Sequence, residues 1–324
     1  MKLRQLLFIA ALLVCPGISH AVTCSVSNVQ PISFGAVDPL SSSGATTSMT
    51  FTWTCAKEVT DVLAGINLCF NIGASGVSGQ VATRNMSLSG TPARTLSYQL
   101  YQDAGHSKIW GSQYQSGTSV PMVQLNLFNL LPVTGSLTVS AQLVTPQTSA
   151  VPGSYQDSYT AATALITLNP GLVIPPTTCG DTVAARLPFS VSATVSKQCN
   201  ITSANNISFT PVKATQRNAT ASNTIGVACT NNTPYTIGLQ PSNGNTAGNG
   251  VMSGTGANSD KVPYQLSSTP GPSGTVWGNT PLNTVTGTGT GTGSATPYSV
   301  YATVPSANYT PDNYADTVTI SVTY

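Results

Sequence analysis

Side chains that could perform acid–base or nucleophilic chemistry are scarce in this chain of 324 residues. It carries nine acidic residues, of which Glu58 is the single glutamate, and two histidines, His20 and His106. General acid–base catalysis needs titratable groups that reach the same substrate atom. No such pair, and no nucleophile beside a base, can be assembled from these residues. The sequence therefore predicts a protein that is not an enzyme and uses no cofactor.

Cysteine is the other reactive residue type, and its usage indicates an exported protein. Lys2 and Arg4 precede an apolar run, and small residues at 19–21 suit a signal peptidase, so residues 1–21 are predicted to be a signal peptide. The run is too short to span a bilayer. Cys15 leaves open a lipoprotein anchor, although the bulky Val14 before it disfavours that cleavage.

The six cysteines of the mature chain favour disulfide bonds over free thiols. A zinc site is the competing interpretation, but the cysteines lack the close pairs of such sites, and His106 is the only mature histidine. The sequence also contains an internal duplication, which selects among the fifteen possible pairings of six cysteines. The landmarks shared by the two copies are Cys24 and Cys199, Phe34 and Phe209 (each in Ile-Ser-Phe), Cys55 and Cys229, Tyr98 and Tyr264, Trp110 and Trp277, and the Tyr-x-Asp pairs Tyr155/Asp157 and Tyr314/Asp316.

The duplication predicts two domains, 22–170 and 187–324, joined by a linker at 171–186. In its register Cys24 pairs with Cys55, and Cys199 pairs with Cys229. Cys69 and Cys179 then pair by elimination, which would fasten the linker onto the first domain. A disulfide of this kind stabilises a fold by about 2–4 kcal/mol.

Composition narrows the fold class and the partners. Lys2 and Arg4 leave with the signal peptide, so nine basic residues balance nine acidic ones in the mature chain. A nucleic-acid partner is therefore not expected. Frequent Gly, Pro and Asn between short Thr/Val/Ile/Leu/Tyr runs predict an all-β protein. The longest alternating run covers residues 187–199, with Leu187, Phe189, Val191, Ala193 and Val195 on one face.

The cysteines, Ile-Ser-Phe, Tyr-Gln-Leu, Trp-Gly and the closing Tyr-x-Asp strand together resemble the spore coat U domain, the subunit fold of archaic chaperone-usher pili. Two such domains in tandem resemble the tip adhesin of Csu-type pili. The resemblance implies two immunoglobulin-like, pilin-type sandwiches, the second lacking its last strand. It also implies three protein partners: a periplasmic chaperone, an outer-membrane usher and an adjacent pilin subunit that donates the missing strand.

The two ends of the chain fit that expectation. The alternating residues Val318, Ile320, Val322 and Tyr324 close the second domain and are expected to face the donor strand or the chaperone. A complete sandwich that merely ends on a strand is the alternative. Val22 and Thr23 alone precede Cys24 in the expected mature chain, so no donor strand is expected there, which predicts a position at the pilus tip.

The first copy is longer than the second after Cys55 and after Trp110, and both insertions are apolar. Loops usually lie on the surface and carry function. Val123, Leu125 and Leu127 alternate and are expected to add to the core. The candidate surface-binding residues, at which alternation breaks or proline flanks a loop, are Val59, Val62, Leu63, Phe128, Leu130, Leu131, Pro132, Val133 and Val151.

The resulting hypothesis is attachment to an abiotic or host surface, and hence biofilm formation, through exposed hydrophobic loops. The alternatives are a glycan-binding tip that uses Trp53, Trp110, Tyr101 and Asp103, and a structural coat or rod protein. The Tyr-x-Asp pairs are expected to be structural, comparable to a tyrosine corner. The first half of the alternating run, 187–191, is expected to complete the first domain in cis, and the second half to begin the second domain.

Overall fold

The computed structural model describes residues 22–59 and 65–324. These residues form strands, turns and bends without any helix, which confirms the predicted all-β class. The leader 1–21 lies outside the described residues. Within the described parts no helix is long and apolar enough to cross a bilayer.

The described part of the first sandwich contains twelve strands in two sheets. One sheet has the order β1-β3-β8-β6-β5-β9-β12-β2 and the other has the order β11-β10-β4-β7. The strands are β1 (Thr23–Ser27), β2 (Ile32–Val37), β3 (Thr46–Ala56), β4 (Gly65–Ile72), β5 (Arg84–Leu88), β6 (Thr91–Tyr101), β7 (Met122–Asn126), β8 (Val133–Leu143), β9 (Gly153–Tyr159), β10 (Ala164–Gly171), β11 (Thr182–Arg186) and β12 (Phe189–Val195).

Alternating apolar residues of the two sheets face each other and form the core of this first sandwich. Phe51 and Trp53 of β3 pack against Phe70 of β4, with ring centroids 6.0 and 6.1 Å apart. Trp110 joins them and donates its indole N–H to the carbonyl of Phe70 at 2.7 Å. Period-two apolar spacing thus produces a sandwich core, as the physics of pleated strands requires.

Strand β12 belongs entirely to the first sandwich. It runs antiparallel to β9, where Phe189 lies opposite Tyr159 and Val195 opposite Gly153, and parallel to β2 on its other side. All five alternating apolar residues from Leu187 to Val195 are buried in the core of the first sandwich. The prediction that residues 187–191 complete this domain in cis agrees with these contacts. The assignment of the second half to the other domain, and the boundary at 187, are wrong, because Ala193 and Val195 continue the same buried face.

The second sandwich has a five-stranded sheet, β13-β14-β19-β17-β16, and a three-stranded sheet, β18-β15-β20. Trp277 donates to the carbonyl of Ile237 at 2.9 Å, as Trp110 does to Phe70, so Ile237 is the counterpart of Phe70. The strands are β13 (Cys199–Ala204), β14 (Arg217–Cys229), β15 (Pro234–Pro241), β16 (Asn249–Ser253), β17 (Lys261–Ser267), β18 (Val285–Thr288), β19 (Thr296–Ser306) and β20 (Val318–Thr323).

Cross-links and corners repeat between the two sandwiches. The disulfide bonds are Cys24–Cys55 and Cys199–Cys229, as the duplication predicted, and Cys69–Cys179, as predicted by elimination. Each Tyr-x-Asp tyrosine donates its hydroxyl to a carbonyl four residues earlier, Tyr155 to Val151 at 2.9 Å and Tyr314 to Thr310 at 2.7 Å. These pairs are therefore structural corners, as expected.

Candidate functional site

A long apolar groove opens on the second sandwich. Its volume is about 1030 Å³, and the segments around Ile207 to Val212 and Tyr309 to Thr317 form its two walls. Neither wall segment is in a regular strand, and in the described part of the chain no strand runs between them. The apolar side chains on its floor include Ile225, Leu239, Val262, Leu266, Val300 and Ile320.

In the first sandwich a strand occupies the position that corresponds to the groove. Ile32-Ser-Phe34 lies in β2 and is the counterpart of Ile207-Ser-Phe209, and β9 carries the Tyr155-x-Asp157 corner that matches Tyr314-x-Asp316. Strand β12 lies between β2 and β9 in the first sandwich. The groove of the second sandwich therefore has the shape of a site for one extended strand.

A hydrogen-bonded tyrosine–aspartate pair occurs at this position in both sandwiches, fully buried in the first and half-buried in the second. Tyr98 donates its hydroxyl to Asp157 Oδ2 at 2.6 Å beneath β12, and Tyr264 donates to Asp316 Oδ2 at 2.6 Å in the groove. Burial, followed by the adjacent carboxylate, raises the pKa of Tyr264 above its ordinary value. The tyrosine thus stays a neutral hydrogen-bond donor that holds the groove wall.

Of the four residues expected to face a donor or chaperone, Val318 and Ile320 line the groove. Val322 lies farther along β20, opposite Ile237, and the side chain of Tyr324 is exposed. Their role in binding stays a prediction.

Three loops meet at one end of the first sandwich. In the four-stranded sheet the start of β4 lies between the ends of its neighbours, because Gly65 pairs with Asn126 of β7 and with Gly171 of β10. The described residues that precede or follow the strands at this end of the sheet are 57–59, 127–132 and 172–176. They are called the distal loops below.

The distal loops expose large apolar side chains. The exposed fraction is 84% for Val59, 60% for Phe128, 74% for Leu131 and 81% for Ile174. Leu130, Pro132, Leu172 and Val173 are also exposed. Isolated exposed hydrophobic residues are common, but a cluster of this kind on neighbouring loops is typical of an interaction surface.

The distal loops lie at the end of the first sandwich that faces away from the second. Strand β8 starts beside them at Val133 and runs for eleven residues to Leu143, a length of about 36 Å at about 3.3 Å per residue. The turn that follows β8 contacts the second sandwich, where Asn231 donates to the carbonyl of Ser149 at 2.7 Å. The apolar cluster and the groove thus lie on separate domains. The length of β8 separates the cluster from the domain junction.

The structure places five of the predicted surface residues in the distal loops. Phe128, Leu130, Leu131, Pro132 and Val59 lie in the distal loops, whereas Val62 and Leu63 lie outside the described residues.

Two predicted surface residues are not exposed. Val133 is half-buried in β8 opposite Cys55 and packs on the core. Val151 is buried, because it lies at the Tyr155 corner near the domain junction. Their assignment to an exposed surface is therefore wrong. Val123, Leu125 and Leu127 do add to the core, as the alternation predicted.

Sequence reasoning missed the third distal loop, with Leu172, Val173 and Ile174. These residues fell in the segment interpreted as a linker. The available signal was an unbroken apolar triplet followed by two prolines, which neither a strand nor a flexible linker favours.

The residues of the glycan-binding alternative do not form a surface groove. Trp53 and Trp110 are buried in the core. The Asp103 carboxylate accepts bonds from the amides of Ser107 and Lys108, which hold its pKa below the ordinary value. Among the described residues no group of acidic, histidine or cysteine side chains could hold a metal ion.

The model of the spore coat protein U domain matches residues 10–162 and 185–321, one match for each sandwich. The chain belongs to the spore coat protein U domain family. The second match begins at 185, so it includes β12, the strand that fills the first sandwich. No curated protein sequence matches the chain.

Among solved structures, the chain is similar to one in the CsuC–CsuE chaperone–tip adhesion subunit pre-assembly complex of the archaic chaperone-usher Csu pili of Acinetobacter baumannii. The identity is 16%, the TM-score is 0.54, and 93% of this chain and 100% of that chain are covered. A tip adhesin of Pseudomonas aeruginosa shows 10% identity and a TM-score of 0.39, with 94% of each chain covered. The likeness to the chain in the Csu complex shows a shared fold.

Proposed function

We propose that this chain is the tip adhesin of a chaperone-usher pilus and that it attaches cells to apolar surfaces, abiotic or host, thereby promoting biofilm formation. The observation that carries this proposal is the cluster of exposed apolar side chains on three adjacent distal loops. On this proposal the protein is exported through the periplasm to the cell surface and lies at the pilus end.

Attachment is physical adsorption. Moving one large aliphatic or aromatic side chain from water to an apolar surface contributes about 1.5–3 kcal/mol. Several such residues make a weak single bond, and many pili on one cell convert it into firm attachment through multivalency. The balanced charge of the mature chain avoids repulsion from surfaces of either sign.

The groove of the second sandwich joins the adhesin to the pilus. An extended strand from the adjacent pilin subunit would lie between the two walls, as β12 lies between β2 and β9, and a periplasmic chaperone would cover the groove before assembly at the usher. The groove's apolar floor and its duplicate in the first sandwich support this assignment.

The adhesive part of the proposal is tested by replacing Leu130, Leu131 and Ile174 with serine together. We expect normal piliation but a loss of attachment to hydrophobic plastic, measured by counting attached cells. The matched control is Leu282→Ser, because Leu282 is an almost fully exposed leucine on the second sandwich. Undiminished attachment of the triple variant would reject the proposal, and specific binding on a glycan array would favour the lectin alternative instead.

A further inference from the structure

The outer face of β4 is unusual because it is polar and yet buried. Asn67, Cys69 and Asn71 alternate with the core residues of this strand, and all three are almost fully buried. In the second sandwich the matching strand β15 places Thr236 and Gly238 at the positions of Cys69 and Asn71, and no disulfide forms there. The polar face of β4 is thus a specific feature of the first sandwich.

Asn67 and Cys69 of this face are covered by the end of the third distal loop and the residues just after it, 176–179. Cys179 is bonded to Cys69, and Asn67 Nδ2 donates to the carbonyl of Thr178 at 2.9 Å. Asn169 Nδ2 donates to the same carbonyl at 3.0 Å. Gln124 of β7 donates to the carbonyl of Pro176 at 2.9 Å. These four contacts, from strands β4, β10 and β7, are called the clamp.

The third distal loop also packs closely against Gly65 at the start of β4. A Cβ built on Gly65 would be 2.6 Å from the backbone nitrogen of Pro175, so only glycine lets the loop lie this close to the start of β4. The loop is held on both sides, while the side chains of Leu172, Val173 and Ile174 at its tip stay exposed.

We infer that the clamp is a positioning device for adhesion: Cys69–Cys179 with Asn67, Asn169 and Gln124 hold the third distal loop in its binding form before contact with a surface. This inference rests on the proposed function and adds to it the requirement for pre-organisation. A loop that is already ordered loses little conformational freedom on binding, whereas a loose loop must be ordered at the surface.

The test compares the double variant Cys69→Ser/Cys179→Ser with the matched control Cys199→Ser/Cys229→Ser, which removes the disulfide of the second sandwich. Piliated cells are scored for attachment to hydrophobic plastic per unit of surface adhesin. The purified full chain is digested with thermolysin, which cuts before Leu, Val and Ile. We expect the first variant to be cut at residues 172–174 and to lose attachment about ten-fold, and the control to show neither change.

A second variant keeps the disulfide intact and covers the case in which the cysteine variant fails to fold. Gly65→Ala pushes the loop away from β4 and should reduce attachment in the same direction. The inference is overturned if either variant attaches normally although thermolysin cuts its third distal loop. It is also overturned if thermolysin cuts this loop in neither the cysteine variant nor Gly65→Ala. If the clamp variants attach normally while the serine triple variant does not, the proposed function stands without the clamp. If the serine triple variant also attaches normally, the proposed function itself is wrong.

Discussion

At the scale of single residues, the buried pair Tyr98 and Asp157 holds the first sandwich together beneath β12. The Asp157 carboxylate accepts bonds from Tyr98 and from the amides of Gly76 and Ser158, and the Tyr98 hydroxyl lies 2.9 Å from that of Tyr159. Burial, with the adjacent Tyr159 and Asp157, raises the pKa of Tyr98, and burial raises the pKa of Tyr159 to about 12. Both phenols therefore stay neutral in the fold.

The variant Tyr98→Phe should lower the free energy of unfolding of the first sandwich by about 1.5–3 kcal/mol, because a buried carboxylate loses a donor. Urea unfolding at neutral pH measures this, with exposed Tyr114→Phe as the control.

The raised pKa of Tyr98 in the folded state gives stability that is present below pH about 10 and is lost as the pH rises. The variant should therefore lose less stability between pH 9 and about 11 than the wild type does. Equal unfolding curves for both proteins would contradict this role.

At the scale of elements, β12 decides the architecture. Its alternation was visible in the sequence, and so was the expectation that its first half completes the first domain. Where the strand ends was not predictable, because Ala193 and Val195 suit either sandwich, and only the pairing with Gly153 and Val37 decides between them. The third distal loop was missed for a related reason, since tertiary contacts from distant strands hold it.

Removal of a core side chain from β12 should destabilise the first sandwich only. Phe189→Ala removes a ring stacked on Tyr159 at 4.7 Å and should destabilise the first sandwich by about 3–5 kcal/mol. Calorimetry of the full chain is expected to show a lower transition temperature for the first sandwich and an unchanged one for the second. Ser190→Ala, on the opposite face of β12, is the control. A shift confined to the second transition would contradict the assignment of this strand.

At the scale of the whole molecule, the internal duplication allows the strand pairing of β12 in the first sandwich to be transferred to the groove of the second. In that register a strand in the groove would run parallel to residues 207–212 and antiparallel to residues 312–318. A side chain at the position of Val191 would lie beside Ile207 and Asp316, the counterparts of Ile32 and Asp157. The partner is then expected to present alternating apolar residues, with an aromatic one near Val318.

A labelled peptide copying residues 187–195 should therefore bind the groove of the full chain, which fluorescence anisotropy can measure. The same peptide with lysine at the positions of Val191 and Val195 should not bind, because each charge would be buried on an apolar floor. The groove variant Ile320→Asp should also abolish binding. Equal binding of both peptides, or of neither, would contradict the strand register taken from the first sandwich.

The placement of β12 also has a mechanical consequence. The strand lies between two neighbours, and its last residue, Val195, leads within four residues to Cys199 and the second sandwich. Tension between a held surface and the pilus would therefore pull β12 along its own axis. Its ladder hydrogen bonds, which lie across that axis, would be loaded together in shear and not opened one after another. On the proposed function, the strand that completes the first sandwich is thus also the element through which that sandwich withstands force.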